Sequence, residues 1–172
     1  MRSLALVALA LCSCIFPKVM PEALTTDFKP TGEVLLYNRT VGFDAYRVRS
    51  PYCNLSRRTD GSWGGVLAER PIDVSVTDTR ISGVDLLLTR EQSDDHKLVI
   101  TGQFQGRIYR FELDGKQAMI RSPNNSATYI GRVMTPNQTT YGPQGNLQLR
   151  GEAGTDGPPW PQIAFALMAL MH

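Results

Sequence analysis

Histidine and cysteine are scarce: two His and three Cys in 172 residues. His172 is the last residue given, and His96 stands in Ser93-Asp94-Asp95-His96-Lys97, a polar stretch between two candidate strands where carboxylates are ordinary turn chemistry. The spacings that preorganise a nucleophile, a phosphate or a metal are also missing. There is no Gly-x-Ser-x-Gly, no phosphate-binding loop, no Cys-x-x-Cys and no His-Glu-x-x-His. These absences predict a protein that is not an enzyme and that holds no metal and no cofactor. Charge of one sign is lacking as well. Eighteen Lys and Arg face sixteen Asp and Glu, a net charge of +2 that gives no broad basic field and argues against nucleic acid as a partner. No apolar run reaches the roughly 20 residues of a membrane-spanning helix.

What is present begins with Met1-Arg2 and then an uncharged, Leu- and Ala-rich stretch from Ser3 to Pro17, the pattern of a secretory signal. Leu11-Cys12-Ser13-Cys14 resembles the lipobox of bacterial lipoproteins, which implies a signal peptide over residues 1–13 and acylation of Cys14 as the mature N-terminus. Two or three acyl chains anchor stably where one is marginal, so the implied partner is a membrane, met through the N-terminal lipid in the cell envelope. Cys12 at the intermediate position is atypical of that motif. Cys53 is then the one thiol left in the folded part, read as a small buried hydrophobe.

Four of the six Asn residues open an Asn-x-Ser/Thr triplet: Asn38, Asn54, Asn124 and Asn137. In a bacterial protein these are turn residues; in a eukaryotic secreted protein they are glycan acceptors and mark the surface.

Residues 14–32 carry three prolines and no periodicity, and are read as a tether. From residue 33 onward the chain reads strand, turn, strand. Ile72, Val74 and Val76 alternate with Asp73, Ser75 and Thr77, the period of a sheet with one buried face. Candidate strands are 34–39, 46–49, 64–68, 72–76, 84–90, 98–103, 107–113, 117–121, 128–134, 139–142 and 146–151, with Asp114-Gly115 a strong hairpin signal. About eleven or twelve antiparallel strands with short links predict a closed barrel or a sandwich, because one open sheet would expose its edges.

The end differs in kind. Pro161 suits a first helical turn, and Ile163 to Met171 are all apolar, predicting a helix over 161–171 with no polar stripe. Such a helix must be buried on every side, and a sheet wrapped around it achieves that. The terminal helix, the strand Asn146 to Glu152 before it, and the hairpins of Leu98 to Met119 together resemble the tubby-like superfamily of tubby C-terminal domains, phospholipid scramblases and LURP-one-related proteins. The resemblance implies an all-β domain over residues 33–172, a closed antiparallel barrel around a central apolar helix. Gly61-Ser62-Trp63 looks like the Gly-x-Trp of lipocalins, whose barrel is hollow and whose helix packs outside.

Between Ala45 and Thr59, Arg47, Arg49, Arg57 and Arg58 occur with no acid among them. Arg47 and Arg49 share a strand face, and the four form a candidate patch for anionic phospholipid headgroups, about 1 kcal/mol each near a charged membrane; the alternative is a solvated outer face. The expectation is an exported, lipid-anchored envelope protein with a structural or surface-binding role and protein partners the sequence does not name. Two alternatives stand beside it: a lipocalin-like carrier of a small apolar ligand, and a secreted glycoprotein whose apolar tail is a glycolipid-anchor signal.

Overall fold

The computed structural model describes residues 28–91, 97–155 and 157–171. The signal segment, Cys14 and His96 lie outside the described residues, as does most of the tether.

Fifteen strands follow one another: β1 Gly32–Leu36, β2 Arg39–Phe43, β3 Arg47–Ser50, β4 Cys53–Arg57, β5 Trp63–Leu67, β6 Arg70–Val76, β7 Arg80–Gly83, β8 Leu86–Glu91, β9 Leu98–Phe104, β10 Arg107–Leu113, β11 Gln117–Ser122, β12 Asn125–Ile130, β13 Arg132–Thr135, β14 Gln138–Tyr141 and β15 Leu147–Gly151. A short 3-10 turn, Glu152–Gly154, leads to one helix, α1, Trp160–Met171. The class is the expected one, all-β with a C-terminal helix. The strand count is higher than expected for three reasons, the third being the break at Gly131 between β12 and β13. Tyr37 takes a positive φ of 55° and folds the predicted 34–39 strand into a turn between β1 and β2, a bend no glycine announces. The short, mostly polar β4 and β7 were not read as strands at all.

Every strand pairs antiparallel with its neighbours in one sheet, which runs from β12 back through β1 and then on to β15, β14 and β13. The barrel is nearly closed. Its two outermost strands, β12 and β13, are successive segments of one stretch of chain joined at Gly131. Gly131 has φ 93°, donates its N–H to Lys116 O at 3.0 Å and accepts the N–H of Gly142 at 3.0 Å, so the chain passes there from pairing with β11 to pairing with β14. The predicted 128–134 strand thus spans both.

Alternation along the strands places Val34, Val41, Phe43, Val48, Leu55, Trp63, Leu88, Ile100, Phe111, Ile120 and Leu147 in a single core, and α1 fills it. From Ile163 to Leu170 no residue is more than 4% exposed. The helix is buried on all its faces because it has no wet one to offer, and the core gathers apolar side chains from around the sheet. Phe165 packs against Trp63 of β5, the rings tilted by 47° with centroids 5.4 Å apart. Its C-terminal carbonyls, left without intrahelical partners, are met by Arg39: Nη1 donates to Leu170 O at 2.8 Å and Nη2 to Ala169 O at 3.3 Å. Near its start the Gln162 amide, buried, reaches Asp44 O at 3.5 Å. No described helix is long and apolar enough to cross a membrane.

Candidate functional site

Two places on the described barrel present chemistry to solvent: the face of β3 and β4 that carries the arginines, and a groove beside β6.

On the first, β3 and β4 pair Arg47 with Ser56 and Arg49 with Asn54, while Val48 and Leu55 point inward. Arg47 and Arg49 therefore do share the outer face. Neither guanidinium is unengaged. Arg47 forms an ion pair with Asp44 at 2.8 Å and lies over the ring of Phe28, 5.1 Å from its centroid. Arg49 donates to Leu55 O at 3.3 Å and to Ser56 Oγ at 3.2 Å. Arg58 crosses the outer face to reach Asp73 of β6 at 2.7 Å and Ser62 Oγ at 3.3 Å. Its path runs over Gly64, where any side chain would collide with the guanidinium. The hydrogen bond to Asp73 raises the Arg58 pKa further above its ordinary value. Arg57 is apart from the other three. Its cross-strand neighbour is the inward-facing Trp63, so the register turns Arg57 to the opposite side of the sheet at its lower rim, exposed and with no partner among the described residues. The stretch without acids is thus met by two aspartates from outside it, and an anion at this face competes with Asp44 and Asp73 for their arginines.

Asn38, Asn124 and Asn137 lie exposed at the β1–β2, β11–β12 and β13–β14 turns, and Asn54 is half-buried on the outer face of β4. The turn placement suits both readings of these triplets. Cys53 is buried, its thiol pushed up to about 12 by desolvation, with Sγ directed at Val48 O at 3.9 Å. A thiol held protonated in this way is packing, not a nucleophile. Among the described residues no group of three or more His, Cys, Asp or Glu is arranged to hold a metal ion.

The second place was not visible in the sequence. Antiparallel hairpins throughout gather the turns at 37–38, 51–52, 68–69, 84–85, 105–106 and 123–124 at one end of the barrel. There the hairpins have unequal lengths. β6 pairs with β5 along Arg70 to Val74, but with β7 only from Val74 to Val76. Arg70 to Asp73, about 13 Å of strand at the usual rise, thus has no strand neighbour on the β7 side. Beside it opens a groove of about 850 Å³. Its floor and walls include Ile72, Val74, Leu86 and Phe104, with Arg70 and Asp85 at the rim. Gln105 N–H donates to Asp85 O at 2.8 Å, tying the two shorter hairpin tips together opposite β6. Val84, next to Asp85, is 99% exposed. Pro71, which has no N–H to pair, stands in the part of β6 that is unpaired on the β7 side, where an edge tolerates it.

No protein-family model, curated protein or solved structure matches the chain.

Proposed function

We propose that the chain is an exported, lipid-anchored cell-envelope protein without catalytic activity of its own, a tubby-like barrel held at a membrane by acyl chains on Cys14. Its role is structural or surface-binding, with Arg47, Arg49 and Arg58 of the outer face contacting anionic phospholipid headgroups and Arg57, turned to the other side of the sheet, left out of that face. The observation that carries this reading is the filled interior. A barrel whose axis is occupied by Ile163 to Leu170 has its core where a hollow carrier keeps its ligand, so recognition is left to the outside and the rims. The same observation weighs against the lipocalin-like alternative. It also weighs against removal of the tail as an anchor signal, since cutting it away would take the centre out of the core.

The glycoprotein reading keeps one favourable observation, the exposed turns that carry Asn38, Asn124 and Asn137. Intact mass of the chain purified from the membrane fraction of its own cells decides among these. A diacyl or triacyl increment on a chain that begins at Cys14 and keeps His172 is the expected result. An unmodified N-terminus, hexose increments, or loss of the C-terminal residues overturns it.

A further inference from the structure

The unpaired half of β6 and the groove beside it share one address, and their chemistries match one kind of occupant. The two-residue turn at Ala68 and Glu69, with φ of 50° and 63°, makes Leu67 and Arg70 a hydrogen-bonded pair. By the alternation of an antiparallel ladder, Arg70, Ile72 and Val74 direct their backbone groups to β5, whereas Pro71 and Asp73 direct theirs away from it, into the groove. Pro71 has no N–H to leave unmet. What the edge offers is the Pro71 carbonyl and the Asp73 N–H, neither of which has a backbone partner among the turn and loop bonds of the described residues, while the Asp73 carbonyl lies against Gly83 where the β6–β7 pairing ends.

A lipid tail or a compact apolar molecule would fill the groove and leave these groups to water. An extended backbone would satisfy them. Its side chains would then alternate, one set entering the groove over Ile72, Val74, Leu86 and Phe104 and the other lying outward near the Arg58–Asp73 ion pair. The rim adds charge to the match: Arg70 on β6 and Asp85 on the facing wall have no side-chain partner among the described residues.

We propose that the groove beside β6 binds an extended peptide segment of a partner protein by strand addition, continuing the line that β7 abandons at Gly83. The segment has alternating apolar and polar residues, an acidic one placed to meet Arg70 and a basic one to meet Asp85. Arg58, one of the arginines of the lipid reading, also lines this groove, but the Asp73 amide readout reports on strand addition alone, so its failure and the failure of the lipid reading are distinguishable.

The probe is a synthetic heptapeptide of sequence Glu-Val-Thr-Val-Ser-Val-Lys, blocked at both ends, titrated into the full chain with backbone amide NMR. Saturable shifts confined to residues 70–74, 84–86 and 104–105, with slowed exchange of the Asp73 amide, are expected. Asp73→Pro removes that amide while leaving the β5 pairing in place, and weakens binding at least tenfold. Asp73→Asn removes the ion pair but keeps the amide, and binds within about twofold of the unaltered chain. Should Asp73→Pro lose its amide spectrum through misfolding, Ile72→Arg, which fills the groove from a half-buried position, serves instead with the same expected loss. Shifts elsewhere or none at all overturn the proposal. So does undiminished binding by Asp73→Pro or Ile72→Arg. A concentration-dependent dimer that Asp73→Pro abolishes would overturn it in favour of a second copy of this chain. Displacement of the peptide by an apolar dye that itself leaves the Asp73 amide exchanging freely would overturn it in favour of a small molecule.

Discussion

The two sides of the barrel use their charges differently. In the wall formed by β1 to β5, two arginines reach the backbone, Arg39 holding the last carbonyls of α1 and lying over the Tyr52 ring at 4.7 Å and Arg49 donating to Leu55 O, while Arg47 keeps its ion pair with Asp44. In the wall formed by β8 to β10, the cations meet side chains. Arg110 reaches Glu91 at 3.1 Å and Glu112 at 3.3 Å, Lys97 meets Glu112 at 2.6 Å, and Thr101 donates to Glu91 at 3.2 Å. The first wall is fastened to the helix within the barrel. The second is laced across its outer surface, where water competes for every contact. Stability should therefore be concentrated where the helix meets β1 to β5, and substitutions on the two sides should differ in size by several-fold.

The largest effect belongs to Phe165. It is wholly buried and packs on Trp63, so Phe165→Ala leaves a cavity at the centre of the barrel and is expected to cost about 3–5 kcal/mol in urea denaturation. A loss under 1 kcal/mol would mean that the helix is not the centre of the fold, and the comparison would collapse with it. Arg39→Ala comes next. It leaves the Leu170 and Ala169 carbonyls without their donor at the negative end of the helix dipole, an expected loss of about 1–2 kcal/mol. Arg39→Lys, which keeps a charge but not the fork, should recover only part of it.

How much of this was legible in advance follows from which signals are local. The helix could be read because Ile163 to Met171 lack any polar residue, a property of the segment itself, and burial on all sides follows from it. Most strands could be read from alternation. The turn at Tyr37-Asn38 could not, because a tyrosine at positive φ carries no sign of it, and β7 contributes a single buried side chain, Ile81. The arginine face was half legible. The period of two put Arg47 and Arg49 together, but their partners come from elsewhere or from the backbone, and the register that turns Arg57 toward Trp63 is a property of strand pairing. The groove depends wholly on unequal hairpin lengths, and no single segment encodes a difference between two hairpins.

The smallest effect, and the sharpest test of the outer lacing, is Glu112→Gln. Glu112 is only 12% exposed at its side chain, and the Lys97 ammonium, with Arg110 beside it, holds its carboxyl below the ordinary 4.5. A carboxylate whose folded pKa is depressed adds stability that is fully present above its unfolded value and is lost as the pH falls through the folded one. Lys97 carries the mirror effect: its pKa is raised above 10.5, so its share persists below that value and disappears as the pH climbs through the raised one. Between these limits Glu112→Gln should cost about 0.5–1 kcal/mol, less in 1 M salt. Below the depressed carboxyl pKa the variant and the parent should converge, because the parent has then lost the same charge. Phe165→Ala and Arg39→Ala should show no such convergence. If all three variants tracked one another through the acid range, charge on the outer wall would not be what distinguishes the two sides, and the difference between them would lie in packing alone.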